Sequence, residues 1–314
     1  MSERVLVTGG AGFIGSHVVA AHRAAGDSVT VLDDLSTGKR ANVPDGVTLV
    51  EADVRSPEAR RLVAEGRFTV LNHHAAQIDV RKSVSDPMAD AAINVLGLLN
   101  LLEGAREGGV GRVVFASSGG TVYGEGAALP LVEEAAKLPA SPYGTAKLTS
   151  EYYIAMYAQL YGMGAVSLRY SNVYGPRQNP HGEAGVCAIF SQRVLDGRPL
   201  TVFGTGEQTR DYVYVGDVAD ANVRASRVSL AKLTDLDARA YNVGTGVETS
   251  VNTLAAQLCA AAGRQVPIER APARLGELER SALDVRKAGR ELGWRPRTDL
   301  AAGLRAVLDW MRGD

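Results

Sequence analysis

Arg4-Val5-Leu6-Val7-Thr8-Gly9-Gly10-Ala11-Gly12-Phe13-Ile14-Gly15 decides how this chain folds. A short β-branched run enters a turn with glycines at 9, 12 and 15, after which Val18, Val19 and Ala20 continue as a helix. Glycine at those places permits a tight turn, lets backbone N–H groups approach a pyrophosphate, and lets helix and strand pack closely. The N-terminus of the helix adds partial positive charge. A second run, Ser28 to Leu32, leads into Asp33, an acid about 20 residues past the glycines and placed to accept hydrogen bonds from an adenosine ribose. Strand, glycine turn, helix, strand and acid together predict a dinucleotide-binding βαβ unit. Asp33 would repel a 2′-phosphate, which favours NAD over NADP, with Lys39 and Arg40 as a weak counterweight.

Working outward, further runs at Val47 to Val50, Thr69 to Asn72, Arg112 to Ala116 and Ala165 to Arg169 alternate with helical stretches. Wholly apolar strands such as Val113-Val114-Phe115 imply a sheet covered on both faces. The fold class predicted is α/β, a doubly wound parallel sheet of Rossmann type. Asp90 to Glu107 is apolar nearly all round, and Pro142 to Tyr161 carries a similar excess. A thick core and a partner subunit both account for it. After Arg169 the rhythm loosens into Gly- and Pro-rich loops, which indicates a second, smaller lobe packed against the first.

Composition excludes several classes. The chain has 314 residues, 46% hydrophobic and 22% charged, with 34 Lys+Arg against 35 Asp+Glu and a net charge of -1. That balance gives no basic field for nucleic acid or anionic lipid. Cys187 and Cys259 stand alone, which fits a reduced compartment, and no leader or stretch of about 18 apolar residues is apparent. A soluble, cytoplasmic protein is expected. His17, His22, His73, His74 and His181 form no metal-ligand spacing, so no metal is expected; His22 reads as solvated, and His73 and His74 as pointing to opposite faces.

Tyr143 and Lys147 stand four residues apart behind Pro142, hence on one face of a helix. They follow the fifth strand, whose end carries Ser117-Ser118-Gly119-Gly120-Thr121, so hydroxyls and phenol can meet at the strand ends. Tyrosine with a pKa of about 10 is a poor base at neutral pH, and the Lys147 ammonium is expected to lower it.

The glycine loop, this pair and the Ser/Thr segment resemble the extended short-chain dehydrogenase/reductase family, and within it the UDP-glucose 4-epimerases. The resemblance runs from Arg4 to about Trp310. It passes through Asp33-Asp34-Leu35-Ser36-Thr37-Gly38, Ala75-Ala76-Gln77, Val122-Tyr123-Gly124, Leu168 to Gln178, Gln208 to Tyr212 and Tyr241 to Gly246. It implies NAD-dependent 4-epimerisation of a UDP-hexose through a transient 4-keto sugar. Tyr143 would take the 4-OH proton, Ser118 would hydrogen-bond the same oxygen, and Lys147 would hold the nicotinamide ribose. Cofactor contacts are implied for Gly9, Gly12, Phe13, Ile14, Gly15, Asp33, Asp34, Ser36, Thr37, Gly38, Asp53, Val54, Ala75, Ala76, Gln77, Asn94, Tyr170 and Val173. Substrate contacts are implied for Asn172, Val186, Thr201, Phe203, Arg210, Tyr212, Arg274, Glu277 and Ser281, with Arg210 and Arg274 as diphosphate clamps. The implied division is 1–170 for an NAD-binding Rossmann domain, with about 215–245 returning to it, and 171–314 mainly for the UDP-sugar lobe. A homodimer through helices around 90–107 and 142–161 is implied as well.

The sequence departs from the family at three places. Gly119-Gly120 stands where many relatives carry hydroxyl or acidic residues, so Ser118, with Thr121 as the alternate donor, must supply the hydroxyl. Glu277 replaces an Asp near the uridine ribose. Ser281 falls at a gatekeeper position, where a small residue leaves room for an N-acetyl group. Sister 4,6-dehydratases and UDP-glucuronate enzymes share the loop and the Tyr/Lys pair, but dehydratases need an acid after the fifth strand, and 117–121 has none. A non-catalytic NAD-binding protein would need only the dinucleotide loop.

Overall fold

The computed structural model describes residues 2–313 apart from 126–127, 182–184 and 274–277. Strands β1 (Arg4–Thr8), β2 (Ser28–Asp33), β3 (Thr48–Glu51), β4 (Val70–His73), β5 (Arg112–Ser118) and β6 (Gly164–Tyr170) are laid side by side, all parallel. Short strands β7 (Asn172–Tyr174), β8 (Leu200–Phe203), β9 (Thr209–Arg210) and β10 (Tyr212–Tyr214) follow, and the chain then returns as β11 (Ala240–Val243) to pair with β6. The order across the seven-stranded sheet is β11-β6-β5-β4-β1-β2-β3. The order reverses between β1 and β4, which opens a crevice at their carboxyl ends. The expected strands are all present, with ends moved by one or two residues where pairing extends the run, as at Ser117 and Ser118 against Arg169 and Tyr170.

Helices cover both faces because the strands are apolar on both. One face is packed by α1 (Phe13–Ala24), through Val18 and Val19, and by a later helix, Val215–Arg227, through Val218, Ala221 and Ala225. The other is packed by α2 (Pro57–Glu65) and by a long helical run after β4 that comprises α3 (Val80–Ser85), α4 (Pro87–Ala91) and α5 (Gly97–Gly108). Beside that run lies α6 (Pro142–Tyr161). A π-bulge over Ala92–Leu96 interrupts the predicted Asp90 to Glu107 helix and turns Asn94 inward. Pro87–Gly108 has the length and mean hydropathy of a membrane span, contrary to the sequence reading, yet Leu98, Leu101 and Leu102 are wholly buried in the core. Its outer side is different: Met88 and Leu96, with Tyr152, Met156 and Leu160 of α6, form an exposed apolar face.

His22 corrects a second expectation. It is fully buried, with Nδ1 2.8 Å from Asp27 Oδ2, and Arg227 donates to the same carboxylate at 2.8 Å. It lies on the α1 side that faces the sheet and the later helix, so the imidazole joins two elements rather than meeting solvent.

The second lobe has its own core, built on Phe190 and Val194 of α7 (Val186–Asp196), Leu200 and Val202 of β8, Leu254 and Leu258 of α9 (Val251–Ala262), and Leu304 and Leu308 of α11 (Leu300–Arg312). Between α7 and α9 in the chain, Val215–Arg227 is α8, and α10 is Arg286–Glu291. The strand pairs β7–β10, β8 with β13 (Ile268–Ala271), and β9 with β12 (Thr249–Ser250) lie outside the large sheet.

Candidate active site

The glycine loop folds as its spacing demands. Gly9 adopts φ +67°, and a Cβ there would sit 2.7 Å from the Ala75 nitrogen. A Cβ on Gly15 would meet the Gly9 oxygen at 2.1 Å, so helix and turn can approach only with glycine. Gly12, at the N-cap of α1, offers no side-chain cap, which leaves the first helical N–H groups free to face an anion. Asp33 is buried at the end of β2; its Oδ2 accepts the Ala11 N–H and its Oδ1 the Leu35 N–H, each at 2.9 Å. Each oxygen keeps a lone pair for a ribose hydroxyl. This cradle of open helix terminus and buried carboxylate fits NAD.

The remaining predicted cofactor residues form the rim. Asp34 caps Ser36 through both its N–H and its hydroxyl, while Lys39 N and Asn42 Nδ2 donate to the Ala11 carbonyl at 2.9 Å and so close the Thr37-Gly38 turn over the loop. Asp53 is gripped by Arg55 through Nε and Nη2, which holds its carboxyl below the usual range, and Val54 is buried behind it. Ala75 N donates to Thr8 Oγ1, and Gln77 exchanges backbone-to-side-chain bonds with Asn94 at 3.0 Å in both directions, with Ala76 between them. Tyr170 is buried against His74 with its hydroxyl 2.8 Å from Asn222 Nδ2, so only its ring and backbone remain for a ligand. Val173 lies half-buried in β7. His73 and His74 are both engaged, His73 with Thr8 Oγ1 at 2.7 Å and His74 with Asn72 Oδ1 at 2.8 Å.

Tyr143 and Lys147 stand on the sheet side of α6, which Ser141 caps by accepting the Gly144 N–H and which Pro142 opens. The Ser118 side chain acts on the Tyr143 phenol as a hydrogen-bonding neighbour that opposes the effect of burial. Thr121 Oγ1 donates to the Ser118 carbonyl at 3.4 Å, so its hydroxyl is already engaged. Lys147 Nζ donates to the Ala116 carbonyl at 2.9 Å and lies 4.8 Å from the Phe115 ring centroid and 5.8 Å from that of Tyr143. Burial drives both groups toward neutrality. It lowers Lys147 to about 8 against the opposing charges of Asp90 and Glu151. It raises Tyr143 well above its ordinary value, assisted by Asp90 and opposed by the Ser118 bond. Burial thus opposes, in the protein's own framework, the acidifying effect expected of Lys147.

Behind the pair lies a buried ionic network. Arg169 of β6 is fully buried and grips Glu151 of α6 with Nε and Nη2, at 3.0 and 2.6 Å to the nearer contacts. Ser117 donates to Glu151 at 2.5 Å, Tyr123 meets Arg169 at 3.1 Å, and Asp237 accepts from Arg169 at 2.8 Å. Gly119 is held by contact: a Cβ there would strike the Leu283 side chain at 2.5 Å, whereas one on Gly120 would meet only Ser118 Oγ at 4.0 Å. Gly119 thus lets the segment bearing Ser118 pass under Leu283.

The residues expected to meet substrate follow β6 in the chain. Asn172 is exposed, and its N–H donates to the Asp211 carbonyl at 2.9 Å. Val186 opens α7, Thr201 accepts from Arg193 at 2.8 Å, and the Phe203 carbonyl accepts from Gln208 at 3.1 Å. Arg210 donates to the Thr209 carbonyl at 2.8 Å, and Tyr212 is packed into the lobe's core edge-on to Tyr174. Ser281 is buried beside Ala282 and Leu283, whose N–H reaches Asp211. Arg274 and Glu277 lie outside the described residues. Two carboxylates escaped the sequence reading. Asp211 is wholly buried and accepts from Thr245, Gly246 and Leu283, tying three loops together. Asp90 is buried near Tyr143 and Lys147; its signal was a lone acid in an otherwise apolar helix.

Comparison with known proteins agrees with this geometry. The profile of the NAD dependent epimerase/dehydratase family matches residues 5–244. A UDP-glucose 4-epimerase of Mycolicibacterium smegmatis is 46% identical, covering 98% of each chain. Among solved structures, a Thermus thermophilus UDP-glucose 4-epimerase in complex with NAD is 48% identical with a TM-score of 0.91, covering 99% of each chain. The Thermotoga maritima UDP-glucose 4-epimerase with UDP-glucose is 41% identical with a TM-score of 0.93, again over 99% of each chain.

Proposed function

The chain belongs to the NAD dependent epimerase/dehydratase family, and from that premise we propose that it interconverts UDP-hexoses epimeric at C4, as a redox-neutral isomerase. NAD is its cofactor, and when bound it supplies the oxidant for C4 and restores the hydrogen to the opposite face. Gly9, Gly12, Phe13, Ile14, Gly15 and Asp33 would hold its pyrophosphate and adenosine, and the 75–77 loop with Lys147 its nicotinamide half. Tyr143 takes the proton from the sugar 4-OH and later returns it. Ser118 donates to the same oxygen, and Lys147 stabilises the phenolate by charge. The 4-keto sugar turns about its diphosphate between these events, which inverts C4.

One observation carries the reading: Lys147 Nζ lies 5.8 Å from the Tyr143 ring centroid on the same helix, and residues 117–121 hold no carboxylate. Elimination of water needs such an acid, so epimerisation fits better than dehydration. Asn172, Val186, Thr201, Phe203, Arg210, Tyr212 and, outside the described residues, Arg274 and Glu277 are assigned to the UDP-sugar. Small Ser281 extends the substrate range to UDP-N-acetylhexosamines alongside UDP-glucose and UDP-galactose; Ser281→Tyr should narrow it. Residues 1–170 with 215–245 form the cofactor lobe in this scheme, and 171–314 mainly the sugar lobe. The apolar face of α4, the π-bulge and α6 pairs two copies as a homodimer, and the setting is cytoplasmic.

Incubating the purified protein with a panel of UDP-sugars and no added NAD, then resolving epimers by chromatography, tests the proposal. Interconversion supports it. Stoichiometric NADH accumulation would instead mean a net dehydrogenase.

A further inference from the structure

Asp211 takes no part in the steps above, yet residues assigned to the substrate lean on it from two sides. It is wholly buried between β9 and β10. Oδ1 accepts from the Thr245 N–H at 2.8 Å and from the Thr245 hydroxyl at 2.6 Å. Oδ2 accepts from the Gly246 N–H at 3.0 Å and from the Leu283 N–H at 3.2 Å. The approach is so close that a Cβ on Gly244 would sit 2.4 Å from Oδ2. A buried carboxylate is a poor means of cohesion alone, since apolar groups of similar volume often stabilise a core as well or better. What it supplies is geometry, because both of its oxygens are committed and two loops far apart in the chain are drawn to one point.

Arg210, assigned to the diphosphate, is the next residue in the chain. It pairs in β9 with Thr249 of β12, the strand that follows the 245–246 turn, while the Thr209 N–H donates to the Glu279 carbonyl at 2.9 Å. The Asp211 carbonyl holds Asn172, a second residue assigned to the sugar. On the other side, the bond to the Leu283 N–H anchors Ser281-Ala282-Leu283, the segment that carries the expected pocket wall. Leu283 is buried with Val122, Tyr123 and Leu131, and its side chain lies where a Cβ on Gly119 would strike it at 2.5 Å. Gly119 follows Ser118 directly. From Asp211 to the segment bearing the catalytic hydroxyl the path is one hydrogen bond and one packing contact.

We propose that Asp211 is a positioning residue for the UDP-sugar: it sets the spacing between the diphosphate site at Arg210 and the pocket wall at Ser281 to Leu283, and so governs how tightly the whole nucleotide sugar is held. The proposal rests on the epimerase reading of the site.

Asp211→Asn tests it, because the amide has one oxygen where the carboxylate has two, and its NH2 group then faces N–H donors. KM for UDP-galactose should rise about ten-fold, with kcat within about three-fold of the wild type. UDP, which lacks the hexose and does not span the two sites, should lose only about three-fold as a competitive inhibitor. Loss of folded protein alone lowers apparent kcat and leaves KM and the inhibition constant where they were. A KM within about two-fold of the wild type, or equal losses for UDP and UDP-galactose, would therefore overturn the proposal. If Asp211→Asn does not accumulate folded, Thr245→Val, which removes the hydroxyl donor and keeps the N–H, carries the same requirement at about three-fold in KM. Absence of turnover in a wild type that binds UDP-galactose would defeat the epimerase reading alone; the dissociation constants of UDP-galactose and UDP, measured by calorimetry on the same variants, would still decide the role of Asp211.

Discussion

Tyr143 and Ser118 are assigned to the same sugar oxygen, but their losses should differ in size. Tyr143→Phe removes the proton acceptor and should lower kcat by about 10²- to 10⁴-fold. Ser118→Ala removes a donor from the same oxygen and should cost about 10- to 100-fold. Thr121→Val should cost least of the three, since that hydroxyl already bonds the Ser118 carbonyl. Steady-state rates on UDP-galactose rank them, and a larger loss at Thr121 than at Ser118 would reverse the assignment. The histidines at the end of β4 give a pH prediction. Burial lowers His74 from 6.5 to about 3 and His73 likewise downward. A folded pKa below the unfolded one means that the stability contribution is complete above 6.5 and is lost as pH falls from there toward 3. The loss is at most about 1.4 kcal/mol per pH unit for each histidine. Urea midpoints should therefore fall below about pH 6, and less steeply in His74→Gln than in the wild type.

At the scale of elements, α6 is fastened to the sheet by charge as well as by packing. Glu151→Ala leaves the fully buried Arg169 short of its main counterion and should destabilise the fold by about 3–5 kcal/mol. The double replacement Glu151→Leu with Arg169→Leu should lose less than the two single changes summed, as a double-mutant cycle in denaturant would show. This fastening was invisible in the sequence, because Arg169 and Glu151 read there as one strand residue and one helix residue 18 positions apart. The glycine loop, the first six strands and the Tyr143/Lys147 face were legible, since each follows from local period or from spacing within one turn. What escaped depended on which faces met. His22 turned inward against Asp27, Asp90 lay buried in α4, which packs on α6, and burial pushed the Tyr143 phenol upward.

For the molecule as a whole, the exposed face of Met88, Leu96, Tyr152, Met156 and Leu160 is larger in character than isolated surface apolar residues and is assigned to self-association. Leu96→Glu combined with Tyr152→Glu should halve the sedimenting mass, whereas the same change at Trp310, exposed on α11 in the other lobe, should leave it intact. The late return of the chain as α8 and β11 has a consequence of another kind. Because Ala240–Val243 completes the large sheet after β7 to β10 have been laid down elsewhere, neither half is a cassette that evolution or an engineer can lift out whole. Cutting after β6 would strip that strand of a neighbour and bare its backbone to aggregation. New sugar preferences must therefore arise by altering the loops in place, stitched as they are through a scaffold that crosses back on itself.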